Sequence, residues 1–190
     1  MTRAPISLQE LRRRIYRKAK SDKTHRFWGL FVHITKVETL EEAYRIAKSN
    51  GGAAGADGQK FSDIESAGRS GFLASVREDL ITGRYKPMPN RRVEIPKGNG
   101  KVRTLQIPCI RDRVVQGALK LILEAVFEAD FCPNSYGFRP KRSPHRALAE
   151  ARRSVMRRMS TVIDVDLSRY FDTASYCPLI HEICSNSSSS

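Results

Sequence analysis

The sequence predicts an α+β fold, and the spacing of its apolar residues indicates this in two ways. Apolar positions recur at helical spacing through much of the 190 residues, for example over 112–131. Over 161–167 the period changes to two, because apolar and acidic residues alternate there as in a half-buried strand. Two further strand candidates flank the glycine-containing turn at 97–100. We therefore predict helices around a small hairpin, together with one strand of another sheet.

Capping signals indicate where the helices begin. Ser7 and Glu10 form a capping-box pattern ahead of a basic amphipathic helix. Thr39 and Glu42 repeat the pattern before a second helix, which should end at the glycines of 50–52. Each helix is thus predicted from a start signal and an apolar stripe.

Three more helices are predicted after residue 70 from apolar spacing, capping residues and prolines. A third helix is predicted over 72–80, and the prolines in 85–89 require extended backbone after it. One long helix is expected over 112–131. Ser143 as N-cap with Pro144 at the first helical position opens the last one.

The charge balance favours a polyanionic partner. Lys and Arg number 34 against 20 Asp and Glu, which gives a net charge of +14 and a pI near 10.1. Residues 1–26, 84–103 and 139–158 carry +7, +6 and +7, whereas the remainder of the chain carries −6. This distribution is typical of a nucleic-acid footprint, and basic faces that only confer solubility are the alternative.

The cysteines and the hydropathy exclude several classes. Cys109, Cys132, Cys177 and Cys184 form no C-x-x-C pair, although Cys177, His181 and Cys184 could supply three metal ligands. No apolar run reaches membrane-spanning length, and the first 20 residues carry charges where a secretory signal is apolar. We expect a soluble cytoplasmic protein with reduced thiols and no membrane partner.

The alternating stretch carries two acids, Asp164 and Asp166, on one face of the predicted strand. Carboxylate oxygens in such an arrangement suit Mg²⁺. Pairing with a nearby arginine such as Arg169 explains the same residues without a metal.

Six short segments form a further pattern by their order and spacing. They are G-A-D-G at 55–58, Y-K-P-M-P-N-R-R at 85–92, I-P-K-G-N-G-K-V-R at 95–103, I-P-C-I-R-D-R-V-V-Q at 107–116, S-Y-G-F-R-P-K-R-S-P-H at 135–145 and D-L-S-R-Y-F-D at 166–172. Together they resemble the RNA-directed DNA polymerases encoded by group II introns, which also act as splicing maturases. The resemblance runs from about residue 26 to residue 173 and implies the helical fingers of a reverse transcriptase, followed by the beginning of a palm sheet.

The resemblance implies nucleotide-binding and catalytic roles for four residues. In that family the hairpin binds the triphosphate of the incoming deoxynucleotide, which here implies Lys97 and Arg103; an exposed basic hairpin that touches template backbone is the alternative. Asp166 takes the position of the first catalytic carboxylate, which binds the Mg²⁺ ions that activate the 3′-hydroxyl of a DNA primer. Tyr170 takes the position of the ring that excludes a ribose 2′-hydroxyl, or it is only a packing aromatic.

The resemblance also implies contacts with RNA. Arg139 and Arg142 belong to a segment that positions the RNA template, and we expect both to face phosphates. Tyr136 and Phe138 could stack on bases or support the loop from within. The first helix, with Arg12 and Arg13, resembles the N-terminal extension that grips template and intron RNA.

The sequence departs from the family after residue 173. The family continues with I-P-H and later with a Y-x-D-D hairpin, whereas this chain reads A-S-Y-C-P-L over 174–179 and contains no Asp-Asp pair. We therefore expect a truncated copy that lacks polymerase activity alone, and the alternative is a stand-alone RNA-binding module. The expected organisation is a basic N-terminal extension (1–30), fingers (31–158), the first palm strand and motif (159–173) and a divergent, disordered tail (174–190).

Overall fold

The computed structural model describes residues 6–97, 101–159 and 161–167. Within these ranges the chain forms helices and one two-stranded antiparallel sheet, which agrees with the predicted α+β class. The helices are α1 (Leu8–Ser21), α2 (Leu30–Ile34), α3 (Val37–Ser49), α4 (Phe61–Ala67), α5 (Arg69–Ile81), α6 (Ile110–Asp130) and α7 (Pro144–Met156), and the strands are β1 (Arg91–Lys97) and β2 (Lys101–Ile107).

Helix α6 is the centre of the helical body. Its apolar residues Val114, Ala118 and Ile122 are fully buried, and α1, α2 and α3 pack against it. Gly117 lets α3 approach closely, since a Cβ built there would lie 3.2 Å from the Cβ of Ala43. The core is therefore an interface between helices, and α4 and α5 complete it with Ile64, Leu73, Val76 and Leu80.

Two of the predicted caps are confirmed. The Ser7 hydroxyl accepts a hydrogen bond from the Glu10 amide (3.3 Å), and the Ser143 hydroxyl accepts one from the Arg146 amide (3.4 Å). The predicted cap at Thr39 is wrong, because α3 already begins at Val37. The buried Thr39 hydroxyl instead donates to the carbonyl of His33 (2.8 Å), at the end of α2.

The predicted hairpin is confirmed in position, and the structure supplies its register. Val93 on β1 lies opposite Leu105 on β2, and Ile95 lies opposite Arg103. Each described side chain in the two strands is at least partly exposed. The hairpin therefore projects from the helical body and is not part of its core.

The predicted strand over 161–167 is not formed. These residues lie outside any helix or strand and are exposed, with Val165 at 81%. A strand needs a neighbour that pairs with its backbone N–H and C=O groups, and the described residues provide none at this point. Helix α7, directly before it, buries none of its side chains.

Candidate nucleic-acid interface

The hairpin places two predicted nucleotide-binding positions on one face. Lys97 pairs with Lys101 in the backbone register, and Arg103 pairs with Ile95 two positions along. Because strand residues two apart share a face, positions 97 and 103 are diagonal neighbours. The side chain of Arg103 is exposed.

The hairpin is connected to the body at Asp112, a residue for which the sequence predicted no role. This carboxylate is only 2% exposed, and its two oxygens accept hydrogen bonds from the Tyr85 hydroxyl (2.6 Å) and the Met88 amide (3.1 Å). Burial of the phenol and its bond to this carboxylate raise the pKa of Tyr85. The detectable signal in the sequence is an acid between two arginines in the first turn of α6.

The two arginines that flank Asp112 extend this connection. Arg111 forms an ion pair with Asp79, near the end of α5. The Nε atom of Arg113 donates to the carbonyl of Pro108 (2.9 Å), and its terminal nitrogens reach the carbonyls of Gly51 and Ala53. The first turn of α6 thus contacts α5, both ends of the hairpin and the loop that begins at Gly51.

Two of the arginines predicted to bind RNA point inward to acids of α6. Arg12 on α1 donates to Glu124 at 2.5 Å, where its side chain is 34% exposed. Arg139 has a side chain only 5% exposed, and it donates to both oxygens of Glu128 (2.7 and 3.0 Å). Both arginines act as cross-links between segments in this structure.

Further contacts hold Arg139 in place. It donates to the carbonyls of Cys132 (2.7 Å) and Ser135 (2.8 Å), and its guanidinium lies 4.9 Å from the centre of the Phe131 ring. The bond from Arg139 lowers the pKa of the Glu128 carboxyl. Its predicted contact with template phosphates stays a prediction, and the geometry gives the residue a structural role.

The other two predicted arginines, Arg13 and Arg142, form no side-chain hydrogen bond with a described residue. The side chain of Arg13 is 64% exposed and makes only a long contact (3.9 Å) with Glu10. Arg142 lies over the Tyr136 ring at 5.4 Å. Phe138 does not support the loop from within, because its side chain is fully exposed and its backbone has a positive φ of 54°.

A set of exposed cations forms neither a hydrogen bond through its side chain nor an ion pair with any described residue. Most of these cations lie in the three basic stretches of the sequence, whereas some, such as Arg69 and Lys120, lie outside them. Those in the basic stretches are Arg17, Lys23 and Arg26 on and after α1, Lys86, Arg91, Arg92 and Arg103 on and before the hairpin, and Lys141, Arg152, Arg157 and Arg158 before, on and after α7. We call them the outward cations.

The predicted catalytic residues are less completely described. Asp166 is exposed in the segment that forms no strand, and Tyr170 lies outside the described residues. The described part of the chain contains no cluster of three His, Cys, Asp or Glu residues that could hold a metal ion. Asp164 and Asp166 are both exposed in this segment, and two such carboxylates without further ligands do not make a magnesium site, so this role of Asp166 stays a prediction. None of the described helices has the length and apolarity needed to cross a membrane.

Comparison with known proteins identifies relatives over most of the chain. It is 41% identical to the protein YkfC of Escherichia coli over 175 residues, which are 89% of this chain and 46% of YkfC. It is 31% identical to the group II intron-encoded protein LtrA of Lactococcus lactis over 175 residues, 88% of this chain and 28% of that protein. Nuclear intron maturase 1 of Arabidopsis thaliana is 39% identical over 75 residues, 36% of this chain and 10% of the maturase.

The chain spans less than half of the length of each of these relatives. No protein-family model matches the sequence. The identities nevertheless confirm the family resemblance that the six motifs predicted. The chain is therefore homologous to group II intron-encoded proteins and intron maturases.

Proposed function

We propose that this chain is the RNA-binding fingers part of a reverse transcriptase/maturase-type protein and that it binds the phosphate backbone of group II intron RNA. The outward cations carry this proposal. They are exposed, they belong to three separate segments, and no described carboxylate neutralises them. Arginine and lysine in this state are the side chains that bind phosphate oxygens most strongly.

The two arginines that point inward, Arg12 and Arg139, also support this proposal, because they stabilise the body and leave RNA binding to other cations. Arg12 forms an ion pair with Glu124 and holds α1 against α6. Arg139 forms an ion pair with Glu128 and holds the 131–139 loop against the same helix. Internal ion pairs therefore help to hold these two segments on α6, while the outward cations leave positive charge on the surface. This arrangement suits a protein that binds a polyanion over a broad area.

RNA-templated DNA synthesis is the second candidate function. The register that brings positions 97 and 103 to one face supports it, because a lysine and an arginine side by side suit a triphosphate. DNA primer and deoxynucleotides would then be further partners. For this chain alone we propose no synthesis, since the sequence has no Asp-Asp pair to supply the other metal-binding carboxylates of the family beside Asp166.

A salt titration of binding to a structured group II intron RNA tests the first candidate. Arg17→Ala, Arg92→Ala and Arg152→Ala each remove one outward cation from a different segment. Each phosphate contact contributes about 0.7–0.9 to the slope of log K against log salt, so each variant should lower the slope by about that amount. Arg69→Ala is the matched control, because Arg69 is exposed but lies outside the three basic stretches. Equal slopes for all four variants and the unaltered chain would contradict the proposal.

Primer extension with Mg²⁺ and deoxynucleotides tests the second candidate. We expect no product from the purified chain. Robust synthesis that Asp166→Ala abolishes would show that this chain polymerises DNA.

A further inference from the structure

We propose that Asp112 is a positioning residue for the hairpin: its buried carboxylate fixes the direction in which β1 and β2 leave the helical body. The inference concerns the orientation of the hairpin itself. It can be measured without RNA or nucleotide, and so it does not depend on the function proposed above.

The hairpin lacks the contacts that could orient it along its length. None of the described side chains of β1 and β2 is buried, and Val102 and Ile95 remain 59% and 43% exposed. A two-stranded hairpin is at best marginally stable by itself in water. Its direction must therefore be set where its two ends join the body.

The incoming end is tied to Asp112 at two points. Tyr85 donates its hydroxyl to one carboxylate oxygen and Met88 donates its amide to the other. Met88 stands between Pro87 and Pro89, and proline restricts both its own φ and the backbone before it. A bond to this amide therefore holds a stiff segment that ends just before Arg91, the first residue of β1.

The outgoing end is joined to the same helical turn. Pro108 and Cys109 alone separate β2 from α6, and Arg113 binds the carbonyl of Pro108. Cys109 is buried against Gly55 so closely that a Cβ at Gly55 would lie 2.5 Å from its Cα. The outgoing end of the hairpin is thus held by its short connection to α6 and by packing. The incoming end is the one whose position depends on Asp112.

The chemistry of Asp112 suits this role. An ionised carboxylate has two acceptor oxygens, so one side chain can hold two donors from the same segment at once. Its position in the first turn of α6 stabilises the negative charge through the helix dipole. Asparagine has the same shape but only one acceptor oxygen, so it replaces the charged bond to one of the two donors with a weaker neutral contact to its NH₂ group.

Distance measurement by double electron–electron resonance tests the proposal. One spin label goes on β2 through Thr104→Cys and the other on α3 through Glu41→Cys, both exposed positions. Cys132, Cys177 and Cys184 are replaced by serine in this background, and Cys109 is retained because it is fully buried. The variants are Asp112→Asn and Tyr85→Phe.

Tyr44→Phe is the matched control. Tyr44 is buried, and its hydroxyl also donates to an acid, Glu65 at 3.0 Å, but this bond joins α3 to α4 and lies away from the hairpin. We expect Asp112→Asn and Tyr85→Phe to widen the distance distribution at least twofold, and Tyr44→Phe to leave it unchanged. Circular dichroism establishes that each variant is folded.

A wild-type distribution in folded Tyr85→Phe and Asp112→Asn would overturn the proposal. Equal widening in Tyr44→Phe would also overturn it, because general loosening of the core would then explain the effect. Should Asp112→Asn fail to fold, Tyr85→Phe decides alone, since it removes one bond and keeps the buried charge.

Discussion

Arg139 and Glu128 form a two-point ion pair in which both carboxylate oxygens accept from the guanidinium, at 2.7 and 3.0 Å. The pair joins the loop after α6 to the last turns of that helix. One turn earlier, Glu124 accepts a single hydrogen bond from Arg12 of α1. The C-terminal half of α6 is therefore an acidic strip that orders two basic segments.

The pair predicts that Arg139→Ala acts on stability. We expect a lower midpoint of urea denaturation and faster hydrogen exchange over 131–139, because the variant removes four hydrogen bonds and leaves the Glu128 carboxylate without its partner. Arg139→Lys should not restore the midpoint, since lysine cannot form the forked contact. Arg45→Ala is the control: its pair with Glu42 is exposed, and the midpoint should change little. An unchanged midpoint in Arg139→Ala would refute the structural role.

The same pair predicts a dependence of stability on pH. Arg139 lowers the pKa of Glu128 below its ordinary value of 4.5, so the folded state holds this carboxylate ionised more strongly than the unfolded state does. The resulting stability is fully present above the unfolded pKa and is lost as pH falls through the folded pKa. The difference in stability between the unaltered chain and Glu128→Gln should therefore be largest near neutral pH and shrink in acid. Urea denaturation at several pH values measures it, and a difference that grows in acid would contradict the assignment.

Arg12 and Arg13 are neighbours in sequence with opposite predicted effects. Arg12→Ala should lower the free energy of unfolding by about 1 kcal/mol, because it breaks a partly buried, charged hydrogen bond to Glu124. Arg13→Ala should leave stability unchanged and instead weaken RNA binding with a smaller salt slope, because its guanidinium is exposed. Denaturation and RNA titration on both variants provide the check. Equal losses of stability would show that the two side chains have the same role.

The sequence predicted those features that depend on neighbouring residues. The caps at Ser7 and Ser143 and the positions of the two hairpin strands each follow from a few adjacent residues. Thr39 was assigned wrongly because its hydroxyl binds a carbonyl in the preceding helix rather than its own backbone. The 161–167 stretch has the alternation of a strand, but a strand also requires a partner that local spacing does not report.

The sequence predicted where the positive charge of the candidate site lies, but it did not predict which arginines form ion pairs within the fold. Counting charges located three basic stretches, and the structure shows which of their cations are exposed and unpaired among the described residues. The count could not separate Arg12 from Arg13, because the acid that binds Arg12 is 112 residues away. The role of Asp112 also arises from tertiary structure, since its donors are 24 and 27 residues earlier in the chain.

The close contact between Gly55 and Cys109 predicts that a residue with a side chain at position 55 will destabilise the protein. A Cβ at position 55 would lie 2.5 Å from the Cα and 2.7 Å from the backbone nitrogen of Cys109, and backbone atoms cannot move aside. Gly55→Ala should therefore cost about 1–3 kcal/mol of stability. Gly71→Ala is the matched substitution: it lies in α5 with no atom within 4 Å, and it should stabilise by about 0.5–1 kcal/mol. Denaturant titration of both variants tests the pair, and equal effects would mean that the close approach at Gly55 has no energetic consequence.

The exposure of helix α7 predicts that an apolar residue on it can be replaced with little effect on stability but with an effect on solubility. Leu148 is 71% exposed and α7 buries no side chain, so Leu148→Lys should change the free energy of unfolding by less than about 0.5 kcal/mol. The same substitution removes apolar surface from a region where Val155, Met156 and Val162 are also exposed, which should reduce binding of 8-anilinonaphthalene sulfonate and self-association in sedimentation. Leu73→Lys is the contrast, because Leu73 is buried in the core and a charge there should unfold the protein. If Leu148→Lys destabilised the chain as strongly as Leu73→Lys, α7 would have to be packed against the body, in conflict with its exposure here.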